Sequence, residues 1–182
     1  MKFKSTAFAV AMTLASSLAL APRGHAQAGP SDTQIVGIVL AADDIDIKYG
    51  KLALAKSKDK HVREFAQQMI TDHSAVQKSV QELAAKLGVT AQDSDTSNAL
   101  KTQSQEITAK LKTLKGAAFD KTYIDNEVAY HKAVTDAVAG VLIPNANNAE
   151  LKAALEGAQP LFLGHLEHAR KVQSGVDKMG AM

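Results

Sequence analysis

After the first 28 residues, apolar positions recur every third or fourth residue in segment after segment, and no stretch alternates like a strand. The pattern predicts an all-α protein. A first helix is expected from Ser31 or Asp32, either a suitable N-cap, to about Lys56, with Ile35, Ile38, Ala42, Ile45, Tyr49 and Leu52 along one face. The short polar break Ser57-Lys58-Asp59 forces a hairpin into a second helix whose stripe reads Val62, Phe65, Met69, His73, Val76, Val80, Leu83, Leu87 and stops at Gly88. Residues 90–97 are polar and turn-rich, and Leu100, Ile107, Leu111 and Leu114 mark a shorter helix. The next runs from Ala117 to about Leu142 with Ile124, Val128, His131, Val134, Val138 and Val141, and ends at the Pro144–Asn148 loop. A last helix starts near Ala149 and carries Leu151, Leu155, Ala158, Phe162, His165, Ala169, Val172, Val176 and Met179, with Pro160 inside it as an expected kink. Four long helices joined mostly by short links make an up-down four-helix bundle, the short helix elaborating the link between the second and third. Residues 29–182 read as one domain.

The stripes contain three residues of the wrong type. His73, His131 and His165 each stand where an apolar residue is due, on three different long helices. A single buried histidine is commonly a hydrogen-bonded core residue, but three on inward faces are costly unless they share partners. With a rise of ~1.5 Å per residue, His73, fifteen residues before Gly88, and His131, fifteen after Gly116, fall at one level across an antiparallel pair. His165 comes out offset by roughly 8 Å on the same reckoning. The first helix offers Asp43, Asp44 and Asp46, of which Asp46 best matches the level of His73, although its stripe places Asp46 on a shoulder. Three imidazoles and a carboxylate suit zinc, copper or iron better than calcium or magnesium. Asp72, on the face next to His73, is placed to orient another residue but reads first as a surface acid, His61 as a solvated end residue, and His168, three residues after His165, as a reserve ligand. Glu127 and His131 form a local i,i+4 pair, but no Glu-x-x-His occurs, which disfavours a standard di-iron centre.

Charge and composition narrow the remaining classes. Lys2 and Lys4, the apolar run Ala7–Ala21 and Ala26-Gln27-Ala28 read as a cleavable signal peptide over residues 1–28. An exported chain, periplasmic or secreted and possibly associated with the outer membrane, is the expectation. Removing that segment takes three positive charges and no acid, so 21 Lys and Arg against 19 Asp and Glu become 18 against 19. A near-neutral, interspersed surface gives no nucleic-acid footprint, and no transmembrane segment is expected in the mature chain. The chain has no cysteine and no Gly-x-Ser-x-Gly elbow or phosphate-cradling loop, so nothing points to a hydrolase or nucleotide enzyme, while a metal-centred redox activity stays open.

The runs GKLALAKSKDKHVREFAQQMITDH, GAAFDKTYIDNEVAYH and PLFLGH resemble the bacterial ferritin-like family of exported proteins catalogued as domain of unknown function 4142. The resemblance extends from about Asp32 to Lys171. It implies a ferritin-like four-helix bundle in the periplasm or outer envelope, and it matches the family's histidines to His73, His131 and His165. Where members commonly carry Glu in the first helix, this chain has the shorter Asp46. No activity goes with the family. The expected function is transition-metal binding between the helices, in metal handling or envelope stress; a metal-free structural or interaction bundle of the cell envelope is the alternative.

Overall fold

The computed structural model describes residues 29–180, with side chains to residue 178. The expected leader, residues 1–28, and the Met179 side chain lie outside that description. The described residues are helical almost throughout: α1 (Asp32–Lys56), α2 (Lys60–Leu87), α3 (Asp95–Thr113), α4 (Gly116–Ala137), a π-helical turn (Val138–Leu142), α5 (Ile143–Asn145) and α6 (Ala149–Gly180). None of these helices is long and apolar enough to cross a membrane.

The helix ends follow from local chemistry. Ser31 caps α1 in a reciprocal box with Gln34, and Asp59 caps α2 by accepting from the Val62 N–H at 2.9 Å. Gly88 ends α2 with φ of 65°, which a residue bearing a Cβ adopts only under strain. Helix α3 begins earlier than its apolar residues indicate, because Ser94 and Ser97 build a second capping box inside the polar 90–97 stretch. Helical backbone also passes through Pro144 to Asn145. Pro144 sits in the first turn of α5, where a missing N–H costs little, directly after the π-helical turn. Pro160, by contrast, lies inside an uninterrupted α6.

Helix directions can be traced from side-chain contacts. Lys86 at the end of α2 pairs with Glu150 at the start of α6, so these two helices are antiparallel. Near the other end of the bundle, Lys56 donates to the Leu111 carbonyl at 2.9 Å and its ammonium lies over the Phe119 ring. Helix α3 therefore travels back along α1, parallel to it, and delivers the chain to the end where α2 begins. Consequently α2 and α4 run in the same direction rather than opposite ones, the single long crossover of ferritin-like bundles. The histidines still meet. His73 lies thirteen residues after Lys60 and His131 fifteen after Gly116, start against start. The offset reckoned for His165 vanishes too: continued helix puts His131 fourteen residues before Asn145, against sixteen from Ala149 to His165.

The crossover also explains α1. Packed by α2, α4 and α3, it buries Ile35, Val36, Ile38, Val39, Ala41, Ile45, Ile47 and Tyr49, which lie all around its circumference. At Gly37 the loop after α2 comes so close that a Cβ would sit 2.1 Å from the Gln92 carbonyl oxygen. The apolar core is split in two. One part gathers Tyr49, Phe65, Met69, Phe119, Tyr123 and Ile124, the other Ile35, Val80, Leu142, Leu151, Leu155 and Phe162. A polar layer of histidines and carboxylates separates them.

Candidate metal centre

Each of the four long helices contributes to that layer. His73 from α2, His131 from α4 and His165 from α6 are at most 3% exposed, and Asp46 from α1 is fully buried between them. The ring centroids of the histidines stand 5.1, 5.4 and 5.7 Å apart. One ring nitrogen from each can be chosen so that all three lie within 4.8 Å of one another. A second such group joins Asp46, Glu127 and His131. The structure thus brings His73, His131, His165 and Asp46 together and leaves the reserve ligand His168 outside.

The outer nitrogens of the rings are held by hydrogen bonds, leaving the inner ones free. His131 Nδ1–H donates to the Glu127 carbonyl at 3.0 Å, one turn back on its own helix. His73 Nδ1 is 2.8 Å from Asp43 Oδ1, and His165 Nε2 is 2.9 Å from Asp72 Oδ2. His73 Nε2, His131 Nε2 and His165 Nδ1 are buried without a hydrogen-bond partner, as are both oxygens of Asp46. Asp46 Oδ2 is close to two of these nitrogens, 2.8 Å from His73 Nε2 and 3.1 Å from His131 Nε2, but the atoms are not aligned as hydrogen bonds. Nitrogens gathered within 4.8 Å of one another, each ring fixed from behind by an oxygen, are what a metal-binding imidazole set requires, with the His73 proton to be displaced on binding.

Electrostatics in the metal-free layer follow from burial and neighbours. Burial disfavours the charged form of Asp46, but His131 and His73 outweigh it and hold the carboxyl well below the usual range. Burial likewise works against a charged His73, and Asp43 and Asp46 overcome it, raising that imidazole to about 10. Burial pushes Glu127 well above the carboxylate range, and the nearby Asp46 charge adds to the effect. Desolvation, helped by the charges of His73 and His131, lowers His165 to about 4 despite Asp72. At neutral pH the layer therefore holds an imidazolium at His73, a carboxylate at Asp46 and a neutral, donor-ready His165.

These shifts fix the sign of a pH dependence. His73 has a folded value above its unfolded one, so its contribution is fully present below about 6.5 and is lost as pH rises towards 10. His165 has a depressed folded value, so stability is lost as pH falls from about 6.5 towards 4. Chelator-treated protein should accordingly be most stable in denaturant titrations near pH 6.5, and His73→Gln should flatten the alkaline limb relative to wild type. An alkaline limb of equal steepness in both proteins would contradict the assignment.

Aromatic side chains wall the layer. Phe162 stacks on His73 with an interplanar angle of 9°, Phe65 meets His131 edge-on at 6.3 Å, and Tyr130 does so at 5.9 Å while donating to the Ala42 carbonyl. A cleft of about 330 Å³ reaches the layer from the α3–α4 side, with Asp43, His73 and His131 among its lining residues and mostly apolar walls that include Leu100, Val134 and Val138.

Other acids and histidines find places the sequence does not disclose. Asp72, read there as a surface acid, orients His165; Asp43 does the same for His73. Glu127 is fully buried with both carboxylate oxygens unpartnered. His168 bonds Gln68 at 2.8 Å rather than joining the cluster, and His61 is exposed. Spacing holds a signal for two of these: Asp43 precedes Asp46 by three residues and Glu127 precedes His131 by four, so each shares a helix face with a site residue.

A family model described as "Domain of unknown function (DUF4142)" matches residues 17–172. No curated protein matches the sequence. Among solved structures, one titled "CopM in the Cu(II)-bound form" superposes with a TM-score of 0.61 over 81% of this chain and 98% of that one, at 11% identity. At that identity the likeness is one of fold, a helical bundle.

Proposed function

The chain belongs to the DUF4142 family, and we propose that this member binds a transition-metal ion between its helices through His73, His131 and His165, with Asp46 as the fourth ligand. One observation carries the reading: three buried imidazole nitrogens from three helices converge without hydrogen-bond partners beside a fully buried carboxylate. Nitrogen donors with one carboxylate suit copper, zinc or iron. Copper is the first ion to test, because the similar fold named above is titled as a Cu(II)-bound form. The role is metal handling or protection against metal stress in the cell envelope, reached through the signal peptide that the sequence predicts. When bound, the ion would replace the His73 proton and neutralise Asp46, so binding releases protons and tightens as pH rises.

A second reading rests on the same atoms. Each histidine has a carboxylate within 3.1 Å, so a metal-free bundle can hold its three histidines through the His73 ion pairs and neutral imidazole–carboxylate contacts. Electron paramagnetic resonance of protein loaded with one equivalent of Cu(II) separates the two. Metal binding at the cluster gives superhyperfine splitting from three nitrogens, reduced to two in His165→Ala; the metal-free reading gives only the spectrum of adventitious copper.

A further inference from the structure

A file of polar side chains, hydrogen-bonded from His168 inward, leads from the surface to the buried layer along the seam between α2 and α6. On α2, His61, Glu64, Gln68 and Asp72 are spaced by three, four and four residues and so share one face. Facing them on α6 are His168 and His165. His168 Nδ1 is 2.8 Å from Gln68 Oε1, Gln68 Nε2 donates to Asp72 Oδ2 at 3.2 Å, and the same oxygen lies 2.9 Å from His165 Nε2. His165 ends the file, its Nδ1 buried and unpartnered. Exposure falls in step: the side chains of His61 and Glu64 are 69% and 55% exposed, Asp72 is 26% and His165 1%.

We propose that this seam is the loading route of the buried centre, with His168 as the outer donor that takes a hydrated divalent transition-metal ion from solvent and Asp72 as the next donor inward, beyond Gln68. The inference rests on the metal-binding reading above. Binding of Nδ1 to Gln68 leaves the lone pair of His168 Nε2 available, the same back-holding that prepares the inner histidines. Burial holds His168 below the usual imidazole range and Lys171 and His61 add to that, so the ring is a neutral donor, while Glu64 favours a cation beside it. A metal ion sheds its water only to donors that replace it, and the seam supplies oxygen and nitrogen donors about one helical turn apart. The α3–α4 cleft is mostly apolar, whereas the polar side chains of the seam are joined in a hydrogen-bonded chain. His165 connects the two environments, with one nitrogen towards Asp72 and the other without a partner among the buried residues.

Stopped-flow uptake of Co(II) by the full chain, followed by its visible absorption, tests the route. His168→Ala and Glu64→Gln should slow uptake and release alike, Glu64→Gln by about tenfold, the lower range of electrostatic guidance, and His168→Ala through loss of the outer donor. The final Co(II) per chain and the equilibrium affinity should not change. Ala133→Trp, placed in the exposed wall of the cleft, should load at the wild-type rate. Wild-type loading rates in both seam variants, slowed loading in Ala133→Trp, or loss of equilibrium affinity in His168→Ala would each overturn the route. A wild-type chain that takes up no Co(II), Cu(II) or Zn(II) at equilibrium would instead overturn the metal reading beneath it, and circular dichroism of each variant confirms that the helices are intact.

Discussion

His131→Ala is expected to lose the metal altogether under conditions in which the wild type keeps it through gel filtration. His131 occupies the centre of the layer: its Nε2 lies 3.1 Å from Asp46, its ring is 5.4 Å from His165 and 5.7 Å from His73, and it belongs to both groups of candidate ligands. Substitutions of groups that merely orient a ligand cost about 10–100-fold in metal affinity, so removal of a central ligand should cost more than roughly 100-fold. Buried as it is, the position cannot be refilled by a solvent-facing side chain. His168→Ala removes an imidazole as well, but one that faces Gln68, and should retain the ion at equilibrium. Competitive titration against a chromophoric chelator reads both affinities; equal affinities for wild type and His131→Ala would rule out the cluster as the site.

Removing the ion should also produce a large thermal effect. A ligand that binds only the folded state at a thousand times its Kd stabilises that state by about 4 kcal/mol. For a domain of this length, each kcal/mol moves the melting temperature by roughly 2–4 °C, so metal-loaded protein should melt about 8–16 °C above chelator-treated protein. The physical source is local. Without the ion, burial opposes the charges on both Asp46 and His73, and Glu127 has no partner for either oxygen; with it, converging lone pairs and the Asp46 carboxylate are satisfied together. Calorimetry of the two forms checks this. A melting temperature unchanged by chelation would favour the metal-free bundle, in which the histidines serve only one another and their carboxylates.

The inward histidines of α2, α4 and α6 are legible in the sequence because those helices are amphipathic, so a polar residue on the apolar stripe is conspicuous. Helix α1 gives no such contrast. Covered by α3 as well as by α2 and α4, it is apolar nearly all round, and no stripe marks which of its three acids faces inward. Asp46 can be selected by level but not by phase, and Asp43 emerges only from its 2.8 Å contact with His73. The direction of α3 is equally hidden, since a polar connection carries no mark of whether it turns back at once or travels the length of the bundle. That direction makes α2 and α4 parallel, and with the helical path through Pro144 it accounts for the level of His165, which loop counting misplaces. Asp72 illustrates a further limit: a partly exposed acid beside a stripe histidine looks like surface until the facing helix is known.

The central claim, that the buried histidine cluster holds a metal ion, is tested most directly by elemental analysis of the untagged protein purified from the compartment where it accumulates, alongside His73→Ala. The account predicts near-stoichiometric copper, zinc or iron in the wild type and little in the variant. Wild-type protein that carries no metal, and takes up none when reconstituted with each of the three ions, would contradict it.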